Sequence, residues 1–197
     1  LGTDLVFHPD PAELYFPDAA TWVEVPALAK NLCAKTRPTH FRGVCTVVSK
    51  LFHIAAPDKA FFGQKDAQQL AVIRRMVRDL NFDLEIVGCP IVREADGLAK
   101  SSRNTYLNPK ERQAALILNR SLKKGEALIE AGETDTGRLL AVIKESIATE
   151  PLAKLDYAEA VDADSMKPVA TVEGNVLFAI AVYIGKTRLI DNFVVSR

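Results

Sequence analysis

The run Phe61-Phe62-Gly63-Gln64-Lys65-Asp66-Ala67-Gln68-Gln69 constrains the fold more than any other stretch of this chain. Lys59-Ala60-Phe61-Phe62 reads as a buried strand, and Gly63 turns the chain. Asp66 can then cap a helix whose apolar Leu70, Ile73, Met76, Val77 and Leu80 share one face. A strand that feeds a helix through a short polar turn is the repeating unit of parallel sheets, because parallel neighbours need a crossover. Open sheets of this kind bind ligands beyond the carboxyl ends of their strands. The run therefore sets a cation, an anion and an amide where a ligand would sit.

The same alternation extends to either side. Leu5-Val6-Phe7, stopped by His8-Pro9-Asp10-Pro11, and the β-rich Thr21-Trp22-Val23-Glu24-Val25 read as strands. Between Gly43 and Ala56 the apolar Val44, Val47, Val48, Leu51, Phe52 and Ile54 recur at helical spacing, and Pro57-Asp58 ends that helix. Residues 84–89 make another strand. Arg74, Arg75 and Arg78 fall on the opposite face of their helix from its apolar stripe and read as a solvated surface. The fold class that follows is α/β, with a parallel sheet of βα units. Because the chain opens at Leu1 without a methionine and heads straight into a strand, the sheet is expected to be incomplete at its amino end. Neither GxGxxG nor GxxxxGK[ST] occurs, so no dinucleotide fingerprint or Walker loop is present.

After Val92 the pattern changes. Residues 93–104 are polar, carry Gly97 and read as a loop. Asn108-Pro109-Lys110-Glu111 starts a helix expected to run to about Ala131, where Gly132 stops it. A second helix covers 136–147. Strands follow at 155–161, 176–184 and 188–195, with Gly185-Lys186 as a hairpin turn. We therefore divide the chain near Val92 into a partial nucleotide-binding domain (1–92) and a smaller α+β domain (93–197).

The 25 basic and 25 acidic residues cancel, and nothing in that balance calls for nucleic acid or a membrane surface. No run approaches the ~18 apolar residues of a membrane span. Cys33, Cys45 and Cys89 are odd in number and lack CxxC spacing, which fits a reducing, cytoplasmic compartment and three buried thiols without a redox role. His8 and His53 have no partners at metal-ligand spacing, and no protein-bound metal is expected.

Two polar clusters can carry chemistry. In the first, Lys65 and Gln69 lie one helical turn apart and so on one face. The carboxylate of Asp66 can cap the helix or accept from ribose hydroxyls. In the second, Lys100-Ser101-Ser102-Arg103-Asn104, two hydroxyls and a guanidinium match phosphate oxygens. A mobile loop bearing them could exclude water from a reactive intermediate. His40 reads as structural.

In their order the two clusters resemble the pantothenate synthetase family. The matching runs are Arg37-Pro38-Thr39-His40-Phe41-Arg42-Gly43-Val44, then Phe61 through Leu70, then Arg93-Glu94-Ala95-Asp96-Gly97-Leu98-Ala99 with Ser101-Ser102-Arg103-Asn104-Thr105-Tyr106-Leu107. The resemblance implies an ATP-dependent ligase that joins pantoate to β-alanine through a pantoyl adenylate, with Mg²⁺, on a Rossmann-like nucleotidyl-transferase sheet covered by a carboxyl-terminal domain. It implies that Lys65, Ser101, Ser102 and Arg103 hold the phosphates, that Asp66 and the Gly63 backbone meet the ribose, and that the Val92 backbone meets the adenine. Gln69 would bind pantoate. Lys100 stands where the family commonly has an apolar residue, and it either adds a phosphate contact or points to solvent. Family members are commonly homodimers.

The resemblance also implies an HIGH-like histidine pair near the amino end, which has no counterpart here. We therefore expect a carboxyl-terminal portion of the family pattern, nearly inactive alone. Two rival readings stand beside the ligase: a related nucleotidyltransferase, and a non-catalytic nucleotide-binding fragment that needs a partner chain.

Overall fold

The computed structural model describes residues 2–197. A single helical turn, α1 (Pro11–Leu14), opens a long extended segment that ends at a second, α2 (Cys33–Thr36). A βα unit follows: α3 (His40–Ala55), β1 (Lys59–Gly63), a 3-10 turn over Gln64–Asp66, α4 (Ala67–Asp79) and β2 (Glu85–Cys89). β1 and β2 pair in parallel from Lys59↔Glu85 to Gly63↔Cys89, with α4 as the crossover. On one face Ala60, Phe62 and Ile86 pack under α3 and α4, where Phe52 meets Phe62 and Phe82 edge-on at 6.4 and 5.7 Å. On the other face Phe61 is 65% exposed.

Two expected strands are absent. Leu5, Val6 and Phe7 are 83, 78 and 53% exposed and have no strand beside them, so apolar content alone did not create a pairing. Residues 21–25 are extended but leave the sheet: the Val23 N–H donates to Thr46 Oγ1 at 3.1 Å, which lays the segment along α3. Leu1 lies outside the described residues. Leu80 and Ile54 sit near the ends of their helical patterns and are each 53% exposed.

The second half contains α5 (Pro109–Ala114), α6 (Ile117–Glu130) and α7 (Thr136–Ala148). Three long strands follow: β3 (Ala153–Asp162), β4 (Asn175–Ile184) and β5 (Thr187–Ser196). Asn108 Oδ1 accepts from the Lys110 and Glu111 N–H groups at 3.0 Å, and Glu111 returns a bond to the Asn108 N–H, so α5 starts as its sequence predicts. The expected single helix to Ala131 breaks at Ala115-Leu116. The reason is the run Ala114 to Leu118, all of it buried. A straight helix cannot turn five consecutive residues toward one core, and the break lets it.

β3, β4 and β5 form an antiparallel sheet in chain order, and Gly185 at φ 57° opens the expected hairpin turn. The sheet is covered on both sides, which explains why β4 is apolar from Val176 to Val182. Val176, Phe178, Ile180 and Val182 face α6 and α7, while Leu177 and Ala179 face the core under α3 and α4. Helices α6 and α7 approach closely because Gly125 has no side chain: a Cβ there would lie 2.8 Å from Ile143 Cδ1. Gly125→Val is expected to destabilise the chain by about 1–3 kcal/mol through overpacking, measured as a lowered denaturation midpoint with unchanged m-value.

Candidate active site

A cleft of about 240 Å³ opens where the turn after β1 meets the antiparallel sheet. Lys65, Asp66 and Gln69 line it from the turn and α4, Arg37 from the end of α2, His40 from the start of α3, Arg103 from the loop after β2, and Arg188, Ile190 and Asn192 from β5. Asp66 occupies the N-cap position of α4, yet its side chain makes no capping bond, which leaves the carboxylate exposed at the rim. Gln69 faces the cleft. Its neighbour Gln68 is structural: it is 5% exposed, donates to the Leu28 and Asn31 carbonyls at 2.9 and 2.8 Å, and accepts from the Cys33 N–H.

The second cluster is brought in only in part. Arg103 lines the cleft, whereas Gly63, Val92, Lys100, Ser101 and Ser102 are not among its lining residues. Ser101 instead caps the 3-10 turn Ser102–Tyr106, its Oγ accepting from the Arg103 N–H at 3.3 Å. Lys100 is exposed, and its N–H donates to the Val92 carbonyl at 2.9 Å. Of the stretch 93–104 read as a loop, residues 93–99 close as a hairpin, and Ser102 and Arg103 fall in the 3-10 turn that follows. Arg93 and Ala99 form an antiparallel bridge, Glu94 N–H donates to Leu98 O at 2.8 Å, and Leu98 and Ala99 are buried.

Among the described residues, Lys65, Arg37 and Arg103 make no ion pair within 4.0 Å. Three uncompensated cations facing one cleft favour an anionic ligand. Arg188 is different: its Nε and Nη2 grip Asp156 Oδ2 at 2.9 and 2.8 Å. A β-bulge between Leu155 and Tyr157 inserts Asp156 into β3 and re-aims it, together with Tyr157, at that arginine. Burial, with Cys33 beside it, pushes the Tyr157 phenol above its usual range and keeps it protonated.

The cysteine expectation is corrected here. Cys45 is buried, and its thiol is pushed up to about 11 by that burial. Cys33 and Cys89 are only half-buried, and Cys33 Sγ stands in the cleft 3.3 Å from Tyr157 Oη. His40, read as structural, also lines the cleft. Burial and then the Arg37 charge hold its imidazole below the ordinary 6.5, against the attraction of Asp66. A lowered histidine pKa penalises the native state as pH falls below 6.5, because the unfolded chain then binds more protons. Arg37→Ala is expected to raise the His40 pKa toward 6.5, which an NMR titration of its ring signals would measure.

A larger groove, about 510 Å³, lies behind α4 and is lined by Arg74, Arg75 and Arg78. Those arginines are thus not wholly a solvated face: Arg75 is half-buried, and Arg74 lies over Gly88. The smaller cleft is the better candidate, because the strand end, both charge signs and the Gln69 amide converge on it.

A parallel βα unit with a lysine and a carboxylate at its strand end, beside a smaller antiparallel sheet, is consistent with an α/β nucleotidyltransferase-like fold. A family model described as pantoate-beta-alanine ligase matches residues 1–194. A pantothenate synthetase of Clostridium novyi is 59% identical over 98% of this chain and 68% of its own length. One from Enterococcus faecalis is 57% identical over 95% and 67%. The crystal structure of pantothenate synthetase from Thermus thermophilus superposes with a TM-score of 0.91 at 41% identity, covering 98% of this chain and 70% of that one. A Francisella tularensis pantoate-β-alanine ligase, complexed with β-γ ATP and β-alanine, matches with a TM-score of 0.65 at 31% identity over 91% and 60%. The chain belongs to the pantoate–β-alanine ligase family. The family match over residues 1–194 gives no support to the expectation of a portion lacking the HIGH-like region, and neither the inactive nor the rival readings are favoured by these comparisons.

Proposed function

We propose that the cleft performs the family's ligase reaction: the pantoate carboxylate attacks the α-phosphate of ATP, pyrophosphate leaves, and the β-alanine amine then displaces AMP from the pantoyl adenylate. The observation that carries this reading is the set of unpaired cations, Lys65, Arg37 and Arg103, around Asp66 and Gln69. Attack of one anion on another builds charge in the transition state, and fixed cations aimed at it lower the barrier. The second step needs little more than alignment, since AMP is a good leaving group from a mixed anhydride.

In this assignment Lys65 and Arg103 hold phosphate oxygens directly. Ser101 and Ser102 join them, and Lys100 reaches in from the exposed flank. Asp66 and the Gly63 backbone receive the ribose, Val92 the adenine and Gln69 the pantoate. Among the described residues no group of three or more His, Cys, Asp or Glu stands close enough to hold a metal ion. Mg²⁺ therefore fits here as the companion of the ATP phosphates, which it commonly reaches with few protein ligands. No helix among the described residues is long and apolar enough to cross a membrane. We place the enzyme in the cytoplasm, as a homodimer.

The test separates the two steps. Pantoate with Mg·ATP is expected to release pyrophosphate, and AMP is expected only after β-alanine is added. A stable adenylylated product in the presence of β-alanine would point to the related nucleotidyltransferase. ATP binding without pyrophosphate release would point to the non-catalytic module.

A further inference from the structure

Two neighbouring polar residues, Asp191 and Asn192, are buried in the middle of β5 at 2 and 3% exposure. Consecutive strand residues point to opposite faces of a sheet. Asp191 accordingly shares its face with Leu189 and Phe193, toward α6 and α7, and Asn192 shares its face with Arg188 and Ile190 along the cleft. Each reaches one of two segments that carry cations of the cleft, the Lys65 turn and the Arg103 loop. Asn192 Nδ2 donates to the Gln64 and Lys65 carbonyls at 3.1 and 2.9 Å. Asp191 takes a two-pronged bond from Arg93, at 2.8 and 3.0 Å, and the same Arg93 Nη1 also donates to the Gly97 carbonyl. From there the hairpin bridge runs to Ala99, whose carbonyl accepts from Asn104 Nδ2 at 3.1 Å, next to Arg103.

We propose that Asp191 and Asn192 are positioning residues that hold the Lys65 turn and the Arg103 loop at a fixed separation across the cleft. One rigid strand thereby spaces two cations that lie far apart in sequence. The proposal rests on the ligase reading for what the spacing serves, and on the hydrogen bonds alone for its existence.

Stability alone does not account for these side chains. Asn192 Nδ2 must face its two carbonyl acceptors, which turns Oδ1 away, and that oxygen is buried without a partner. A buried unpaired acceptor is unfavourable, and so is the desolvation of a nearly buried carboxylate, so apolar residues of like shape would serve packing better. The geometry keeps two groups that are costly to bury at the two places where they touch the cation-bearing segments.

The test compares Asn192→Leu and Arg93→Lys with the parent chain by hydrogen exchange without ligand, beside Mg·ATP affinity by calorimetry. Arg93→Lys keeps a positive charge beside Asp191 while losing the fork and the bond to the Gly97 carbonyl, so it remains usable where Asp191→Asn fails to fold. Asn192→Leu is expected to speed exchange roughly tenfold over residues 64–67 while leaving 93–106 unchanged, and Arg93→Lys to do the reverse. Both are expected to weaken Mg·ATP binding without lowering the denaturation midpoint in proportion. Unchanged exchange in both segments, or uniform acceleration across the sheet, overturns the proposal. A parent chain that binds no Mg·ATP overturns the ligase reading instead, and the exchange data still decide the clamp.

Discussion

Lys65→Ala is expected to lower the rate of pantoate-dependent pyrophosphate release by about 10²–10³, the loss typical of one preorganised donor aimed at developing charge. Thermal stability should barely change. Lys65 is half-buried and has no carboxylate within 4.0 Å among the described residues, so its removal strands no partner. What anchors the turn is the Lys65 carbonyl, held by Asn192, and alanine keeps that carbonyl. Lys65→Arg should restore only part of the rate, because a planar fork replaces a compact charge. Rates for both variants, read beside their melting temperatures, check the assignment. A large drop in melting temperature would mean that the lysine is structural and the cation at the strand end is not aimed at phosphate.

Arg188→Met is expected to cost about 1–3 kcal/mol of stability, as when one partner of a half-buried, charge-assisted hydrogen bond is removed. The side chains of Arg188 and Asp156 are 16 and 14% exposed, so the truncated variant leaves a carboxylate with little water and no counter-charge. Adding Asp156→Leu should return most of that loss, since the double variant buries no charge. Urea denaturation of the two singles and the double closes the cycle. If the double is no more stable than Arg188→Met, the Asp156 carboxylate is hydrated through the cleft and the bulge at that residue holds water in place of a pair.

The outcome at the candidate site follows from where its parts lie in the chain. Lys65, Asp66 and Gln69 fall within one turn after a strand, and a glycine between an apolar run and a helical period places them without reference to the rest of the molecule. Arg103 was legible for a similar reason, as a guanidinium in a polar run. Ser101 and Ser102 shared that run, but a hydroxyl next to a helical turn can be used by the turn itself, and Ser101 is. Arg37 and His40 stood in the matching run that opens α3, yet a lone histidine carries no orientation until its neighbours are known.

Local pattern thus sufficed for α3, α4, the start of α5, α7, the parallel pair β1 and β2, and the hairpin at Gly185, because periodicity, caps and turn residues act over a few positions. It failed at residues 5–7 and 21–25, where an apolar run becomes a strand only if another strand lies beside it. Composition could not report that. Tyr157, Arg188, Asp191 and Asn192 come from strands some ninety or more positions from the Lys65 turn, and no short motif marks them. Their roles depend on the register of β3, β4 and β5, on one inserted residue at Asp156, and on which face each strand position takes. Hydrogen bonds that span such separations exist only once the sheet is assembled, so the cations of the cleft were written in the chain and their spacing was decided by the fold.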